Sequence, residues 1–205
     1  MNKIYILLLI FTIGFTTFSC KKEQKKVEEV IEVSTKEFTI DKASIKMNWV
    51  AFKTSEKTPV NGQFNKVELN KTSGASAIDF LNNLEFSVPV SSIFSNNEER
   101  DSKLQKFFFG VMDDTELLSG SISITNNTNG VIHLTMNGIT HDLPIKYLTK
   151  DKVITIKGIL NLENWNAQNA VESLNKACFD LHKGEDGISK TWNTVNIKIS
   201  FSEIQ

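Results

Sequence analysis

Apolar residues recur at every second position in eight windows along the chain, the period that gives a strand one buried and one wetted face. Ile45, Met47, Trp49 and Ala51 share a phase, blurred by Val50 and Phe52, and Phe64, Val67 and Leu69 form a less regular second window. Leu84, Phe86, Val88 and Val90 alternate with Glu85, Ser87, Pro89 and Ser91, while Ile122 and Ile124 sit among serines. Ile132, Leu134 and Met136 oppose His133, Thr135 and Asn137; Leu143, Ile145 and Tyr147 follow, then Ile154, Ile156, Leu160 and Leu162. Val195, Ile197, Ile199 and Phe201 close the series.

The connections point to antiparallel pairing. Asn137-Gly138 is a two-residue hairpin signal, since both residues tolerate positive φ, and Asn129-Gly130 ends a second turn. Pro89 has no ladder donor, which places its strand at an edge or at a local bulge. Between Asn164 and Gly184 the period changes: Ala167, Ala170, Val171, Leu174, Cys178 and Leu181 are spaced by three and four. That spacing predicts an amphipathic α-helix with an asparagine as N-cap and Gly184 as its stop, clamped to the strands by Trp165 and Trp192. A short helical corner is expected in "NNEERDSKLQKFFFG" (residues 96–110), where Glu98 and Glu99 come early and Lys103 and Lys106 late, as a helix dipole favours. The fold class is all-β: eight antiparallel strands, one amphipathic helix and a short helical corner. A barrel and a sandwich both satisfy one-faced strands, and closure also removes exposed edges. An eight-stranded barrel is just wide enough to be filled by side chains or to hold one small ligand.

The N-terminus changes the picture by setting the compartment. Lys3 precedes an apolar run, Ile4 to Phe18, too short to span a bilayer, which reads as a signal peptide over residues 1–19. Thr17-Phe18-Ser19-Cys20 resembles a bacterial lipobox, which makes Cys20 the lipid-attachment residue and the chain a membrane-anchored lipoprotein. Residues 20–37 hold that cysteine and a charged tether with five Lys and five Glu after it, a composition that stays solvated. The expected address is the cell envelope, at the outer membrane facing the periplasm. Lys21 and Glu23 loosely resemble surface-export tags, so the cell surface is the alternative.

Residues 38–205 then form one domain, ample for a core. The chain carries 23 Lys and Arg against 24 Asp and Glu; losing Lys3 with the signal leaves 22 basic residues, and so even a balance excludes a nucleic-acid face. With Cys20 acylated, Cys178 is the one remaining thiol, and no intrachain disulfide forms. Cys178 and His182 share a helix face and could build a thiolate–imidazole pair, but Cys178 lies on the apolar stripe, where an inert thiol is expected. His133 and His141 lack a clustered carboxylate partner along the chain. No nucleophile, zinc or phosphate-loop motif occurs, so neither catalysis nor a metal or other cofactor is expected.

The corner carries a resemblance. "SSIFSNNEERDSKLQKFFFG" resembles a signature of the YceI-like family through Ser92, Ile93, Arg100, Asp101, Leu104, Phe107 and Phe108. Ile40-Asp41, Gly62-Gln63-Phe64, Met136-Asn137-Gly138-Ile139-Thr140 and "SLNKACFDLHKGEDGISKTW" (173–192) match further segments in order, the last resembling the family's lipoprotein branch. Phe109 stands where the family often has an acidic residue. The resemblance implies an extended, lipocalin-like barrel that holds a long amphiphile, typically a polyisoprenoid, as ligand. Trp49, Phe86, Val88, Phe94, Phe107, Phe108, Ile124, Leu134, Met136, Ile156, Ile197 and Ile199 are the expected interior contacts. Arg100 and Asp101 are expected to fix the corner or meet a head group, the corner role being favoured. The implied function is sequestration or transport of the amphiphile, with the membrane and an apolar small molecule as partners. The alternative is a filled barrel serving as a surface scaffold for protein interaction.

Overall fold

The computed structural model describes residues 37–204; the expected signal segment 1–19, Cys20 and the expected tether up to residue 36 lie outside them. Eleven strands occur among the described residues, β1 (Phe38–Lys53), β2 (Thr58–Phe64), β3 (Glu68–Leu69), β4 (Ser73–Gly74), β5 (Leu84–Pro89), β6 (Ile93–Phe94), β7 (Leu117–Ile124), β8 (Asn129–Met136), β9 (Ile139–Lys150), β10 (Val153–Asn161) and β11 (Thr194–Glu203). They pair antiparallel in the order β3-β5-β7-β8-β9-β10-β11-β1-β2-β6, with β4 added to the start of β1.

The count exceeds the expected eight because two passes of the chain are interrupted. β2 and β3 are one pass broken at residues 65–67, and β5 and β6 are another broken by a 3-10 turn at Val90–Ser92. The two passes face each other along both halves. Gln63 lies opposite Phe94 and Phe64 opposite Ile93, Asn65 donates its N–H to Ser92 O at 2.9 Å, and Glu68 then meets Ser87 and Leu69 meets Phe86. The ends of the pairing order therefore meet, and eight passes curl into a barrel. Pro89 ends β5 at the break, so its missing N–H leaves no gap inside a ladder.

The turns follow their sequence chemistry. Asn137 (φ 53°) and Gly138 (φ 66°) join β8 to β9 with Met136 opposite Ile139, a two-residue hairpin with both central residues left-handed. The expected single helix is divided. A 3-10 turn spans Leu162–Trp165, Asn166 turns left-handed (φ 52°), a helix runs Gln168–Ala177, and a second 3-10 turn covers Phe179–His182. No asparagine caps this helix: the cap position is Ala167, with no side-chain bond. The α-helical backbone ends at Ala177, and the 3-10 turn after it leaves Leu181 exposed. Trp165 does clamp the segment, being fully buried with its indole N–H on Leu134 O at 2.9 Å.

In chain order the helices are α1 (Ala77–Leu81), α2 (Glu98–Lys103) and α3 (Gln168–Ala177). The sequence windows do not show α1, which is too short to express a period. Ser76 caps it, and Phe80 packs between Phe38 (5.6 Å) and Phe201 (5.5 Å), tying β1 to β11.

Candidate functional site

Inward side chains from opposite walls leave an apolar cavity of about 140 Å³ in the barrel. Trp49 and Met47 of β1, Phe86 and Val88 of β5, Leu134 and Met136 of β8, and Ile197 and Ile199 of β11 form its sides. Leu104, Phe108 and Phe109 of the corner, with Leu174 of α3, also line it. A cavity of roughly this size lined by aliphatic and aromatic groups stays dry and accepts a molecule as large as benzene. A longer chain fits only if part of the lining moves.

The corner is built to hold its aromatic rings there. Asn97 Oδ1 caps α2 by accepting the Arg100 N–H at 2.9 Å, and Glu99 pairs with Lys103 at 2.6 Å one turn later. Asp101 is buried and accepts from Ser95 N–H (2.9 Å) and Ser95 Oγ (2.6 Å), which pins the strand exit of β6 to α2. It makes no pair with Arg100, whose Nη1 points to Ser95 O at 3.5 Å. α2 then runs into a π-helical turn, Leu104–Phe108, and a 3-10 turn, Phe109–Val111. Such π turns are rare and concentrate at functional sites.

Eight of the twelve expected interior residues line the cavity: Trp49, Phe86, Val88, Phe108, Leu134, Met136, Ile197 and Ile199. Ile156 and Ile124 pack in the core without reaching the cavity wall. Phe94 is 41% exposed, because it alternates with Ile93 and takes the outer face of β6. Phe107 is half-buried beneath the Lys106 ammonium, and the inward pair is Phe108–Phe109, with ring centroids 4.9 Å apart. Successive helical side chains diverge by about 100°, so three adjacent phenylalanines cannot all face inward. Leu104, four residues before Phe108, marks the inward stripe and is the signal that the sequence offers.

A wider cleft of about 650 Å³ adjoins the cavity and shares Trp49, Ala51, Leu104, Leu174 and Thr191 with it. Its walls are mixed: Phe52, Pro59, Val60 and Leu181 are apolar, while Lys53 of β1, Asn61 of β2, Ser95, Asn97, His182 and Glu99, Arg100 and Lys103 of α2 bring polar and charged groups to it. Trp49 stands between the two spaces. Its ring lies over Gly62 so closely that a Cβ there would come within 2.1 Å of an indole carbon, so only glycine admits this placement. Among the described residues its buried Nε1–H has no hydrogen-bond partner.

Cys178 and His182 do not form a nucleophilic pair. Burial pushes the thiol up from its ordinary value, and His182 Nδ1 is engaged by Thr191 Oγ1 at 2.7 Å. Burial, then the charges of Lys53 and Lys103, lower His182 to about 4. A depressed imidazole takes up its proton at lower pH in the folded than in the unfolded chain. Stability is therefore full above about 6.5 and falls as pH drops towards about 4. His182→Gln is expected to flatten the urea midpoint over that window, measured at pH 7, 5.5 and 4.

His133 has a carboxylate partner, contrary to the expectation from chain order. Asp142 Oδ1 lies 2.6 Å from His133 Nδ1, and Ser123 Oγ lies 2.9 Å from Nε2. The two-residue turn at Asn137-Gly138 sets His133 opposite Asp142 across β8 and β9, so the hairpin signal already contains this pair. The trio has the order of an acyl-transfer triad, but it adjoins neither the cavity nor the cleft, and the strands around it spend their N–H groups on ladders rather than on an oxyanion. Among the described residues no group of three or more His, Cys, Asp or Glu is placed to hold a metal ion.

A closed antiparallel barrel with an apolar interior and a polar mouth has the geometry of the small ligand-holding barrels. The chain belongs to the YceI-like family, its residues 38–202 matching the YceI-like domain. It is similar in fold to a polyisoprenoid-binding domain from Saccharophagus degradans implicated in plant cell wall breakdown, with a TM-score of 0.57 at 8% identity over 82% of this chain and 98% of that one. It is also similar to BcnA from Burkholderia cenocepacia (TM-score 0.49, 14% identity, 79% and 98% covered) and to a Campylobacter jejuni YceI protein (0.46, 13%, 71% and 85%). No curated protein matches the sequence.

Proposed function

We propose that this protein binds one long-chain amphiphile, such as a polyisoprenoid, with its tail in the barrel and its head in the cleft. The observation that carries this reading is the continuity, across Trp49, of an apolar cavity with a wider cleft that carries charged groups. A hydrocarbon tail needs no polar recognition, since burying it contributes about 25 cal/mol per Å². Part of the lining, Leu104, Phe108 and Phe109, sits on a π turn and a 3-10 turn rather than on a strand, and it is the part able to yield to a longer tail. In this reading Cys20 is acylated, the tether spaces the barrel from a membrane of the cell envelope, and the protein stores or carries its ligand without catalysis. The small volume of the cavity favours one other reading, a filled barrel that serves as an interaction scaffold, with exposed Phe179, Leu181 and Ile188 as contacts.

N-phenyl-1-naphthylamine is expected to bind once per chain with a rise in fluorescence and to be displaced by a polyprenyl alcohol. Cys20→Ser is expected to release the protein from the membrane fraction and abolish labelling by radioactive palmitate. No uptake of the probe would favour the scaffold, and membrane retention of the serine variant would remove the acyl anchor.

A further inference from the structure

The cleft carries an unequal charge. Lys53, Arg100 and Lys103 stand on its wall against one carboxylate, Glu99. Glu99 is bound to Lys103 at 2.6 Å, which leaves Lys53 and Arg100 without an acidic partner among the described residues. Lys53 Nζ donates to Leu181 O at 2.8 Å, and Arg100 Nη1 reaches Ser95 O only at 3.5 Å, so both keep donors to spare. Asp101 of α2 is engaged by Ser95. In the lining of the same cleft Trp49 holds a buried N–H with no acceptor among the described residues, an expensive state for a polar group. The other two tryptophans of the chain are satisfied, Trp165 on Leu134 O and Trp192 on Thr54 O, each at 2.9 Å.

We propose that the head group is a phosphate monoester, held by Lys53 and Arg100 in the cleft, with an oxygen at the head–tail junction accepting from Trp49 Nε1. This deepens the amphiphile reading and rests on it. A phosphate monoester carries about −1.5 to −2 charges at neutral pH, matching two unopposed cations, and its oxygens suit the fork of an arginine. His182, kept uncharged by burial and then by Lys53 and Lys103, leaves the lysines and the arginine as the cations of the cleft.

The test is a charge series on a constant tail, titrated into the full chain below micellar concentrations: dodecyl phosphate, dodecanol and dodecyltrimethylammonium, with inorganic phosphate as the tail-free arm. Dodecyl phosphate is expected to bind at least about tenfold tighter than dodecanol, with the ammonium weakest and the preference shrinking as salt is raised. Lys53→Gln and Arg100→Gln are each expected to remove most of that preference, read as the ratio of phosphate to alcohol affinity. In a nitrogen–proton spectrum the Trp49 indole signal, assigned through Trp49→Phe, should move on binding while those of Trp165 and Trp192 stay. Equal affinity for all three probes, or a preference untouched in both variants, overturns the proposal but keeps the amphiphile reading. Inorganic phosphate binding as tightly as dodecyl phosphate would make the cleft a site for free phosphate and overturns the lipid head. Failure of every tailed probe overturns the amphiphile reading itself.

Discussion

Replacing Trp165 by alanine is expected to destabilise the barrel by about 3–5 kcal/mol, the usual cost of emptying the volume of a fully buried large aromatic. The change also removes the indole N–H bond to Leu134 O at 2.9 Å. Trp165 joins three parts of the fold. Its backbone carbonyl accepts from Asn137 Nδ2 at 2.7 Å, its ring meets His141 edge-on at 5.2 Å, and its own 3-10 turn leads through left-handed Asn166 into α3. Chemical denaturation should show the midpoint falling with the slope unchanged, and the melting temperature should drop by roughly 10 °C. Trp192→Ala should cost far less: that ring is half-buried and lies between the lysines Lys57 and Lys190. Equal losses in the two variants would contradict the assignment of Trp165 as the clamp.

Leu134→Trp is expected to abolish ligand uptake while the protein still folds. Leu134 projects into the cavity from β8, and an indole there occupies space that is otherwise open. Overpacking a filled core costs about 1–3 kcal/mol; an existing void of about 140 Å³ moves the expected cost to the lower end. Probe binding should fall by more than tenfold, about 1.4 kcal/mol or more. Leu148→Trp, on an exposed position of β9, is the control and should bind as the parent does. Binding that survives in the Leu134 variant would place the ligand outside the barrel.

The strand register is legible in the sequence because most windows have one apolar phase, and that phase faces the interior. Ile132 and Met136, Leu143 and Ile145, Ile154 and Ile156, and Ile199 and Phe201 are all buried. The breaks are not legible in the period, and only Pro89 marks one of them. Nothing in the periodicity distinguishes Val90–Ser92 from strand, since a 3-10 turn of three residues preserves the look of alternation. The helix is shorter than its spacing suggests, because the apolar period continues past Cys178 while the α-helical backbone does not.

The cavity wall is largely legible from inward phases, whereas the cleft is not. Lys53, Arg100, Lys103 and His182 come from three distant stretches of sequence, and only closure of the barrel beneath the corner brings them to one cleft. The family signature marks Phe107 and Phe108, while the turn geometry selects rings by angle and turns Phe109 inward instead of Phe107. Gly62 is part of the matched motif, and the space it leaves for Trp49 is the physical reason for a small residue there.

The most direct test of the central claim is the mass of what the barrel carries. Residues 36–205, which contain all the described strands, would be purified without detergent, weighed under native and denaturing conditions, and extracted with organic solvent. The account predicts a native mass exceeding the denatured one by a single amphiphile, recovered in the extract at one per chain. A native mass equal to that of the bare chain, unchanged after incubation with polyprenyl compounds, would contradict it.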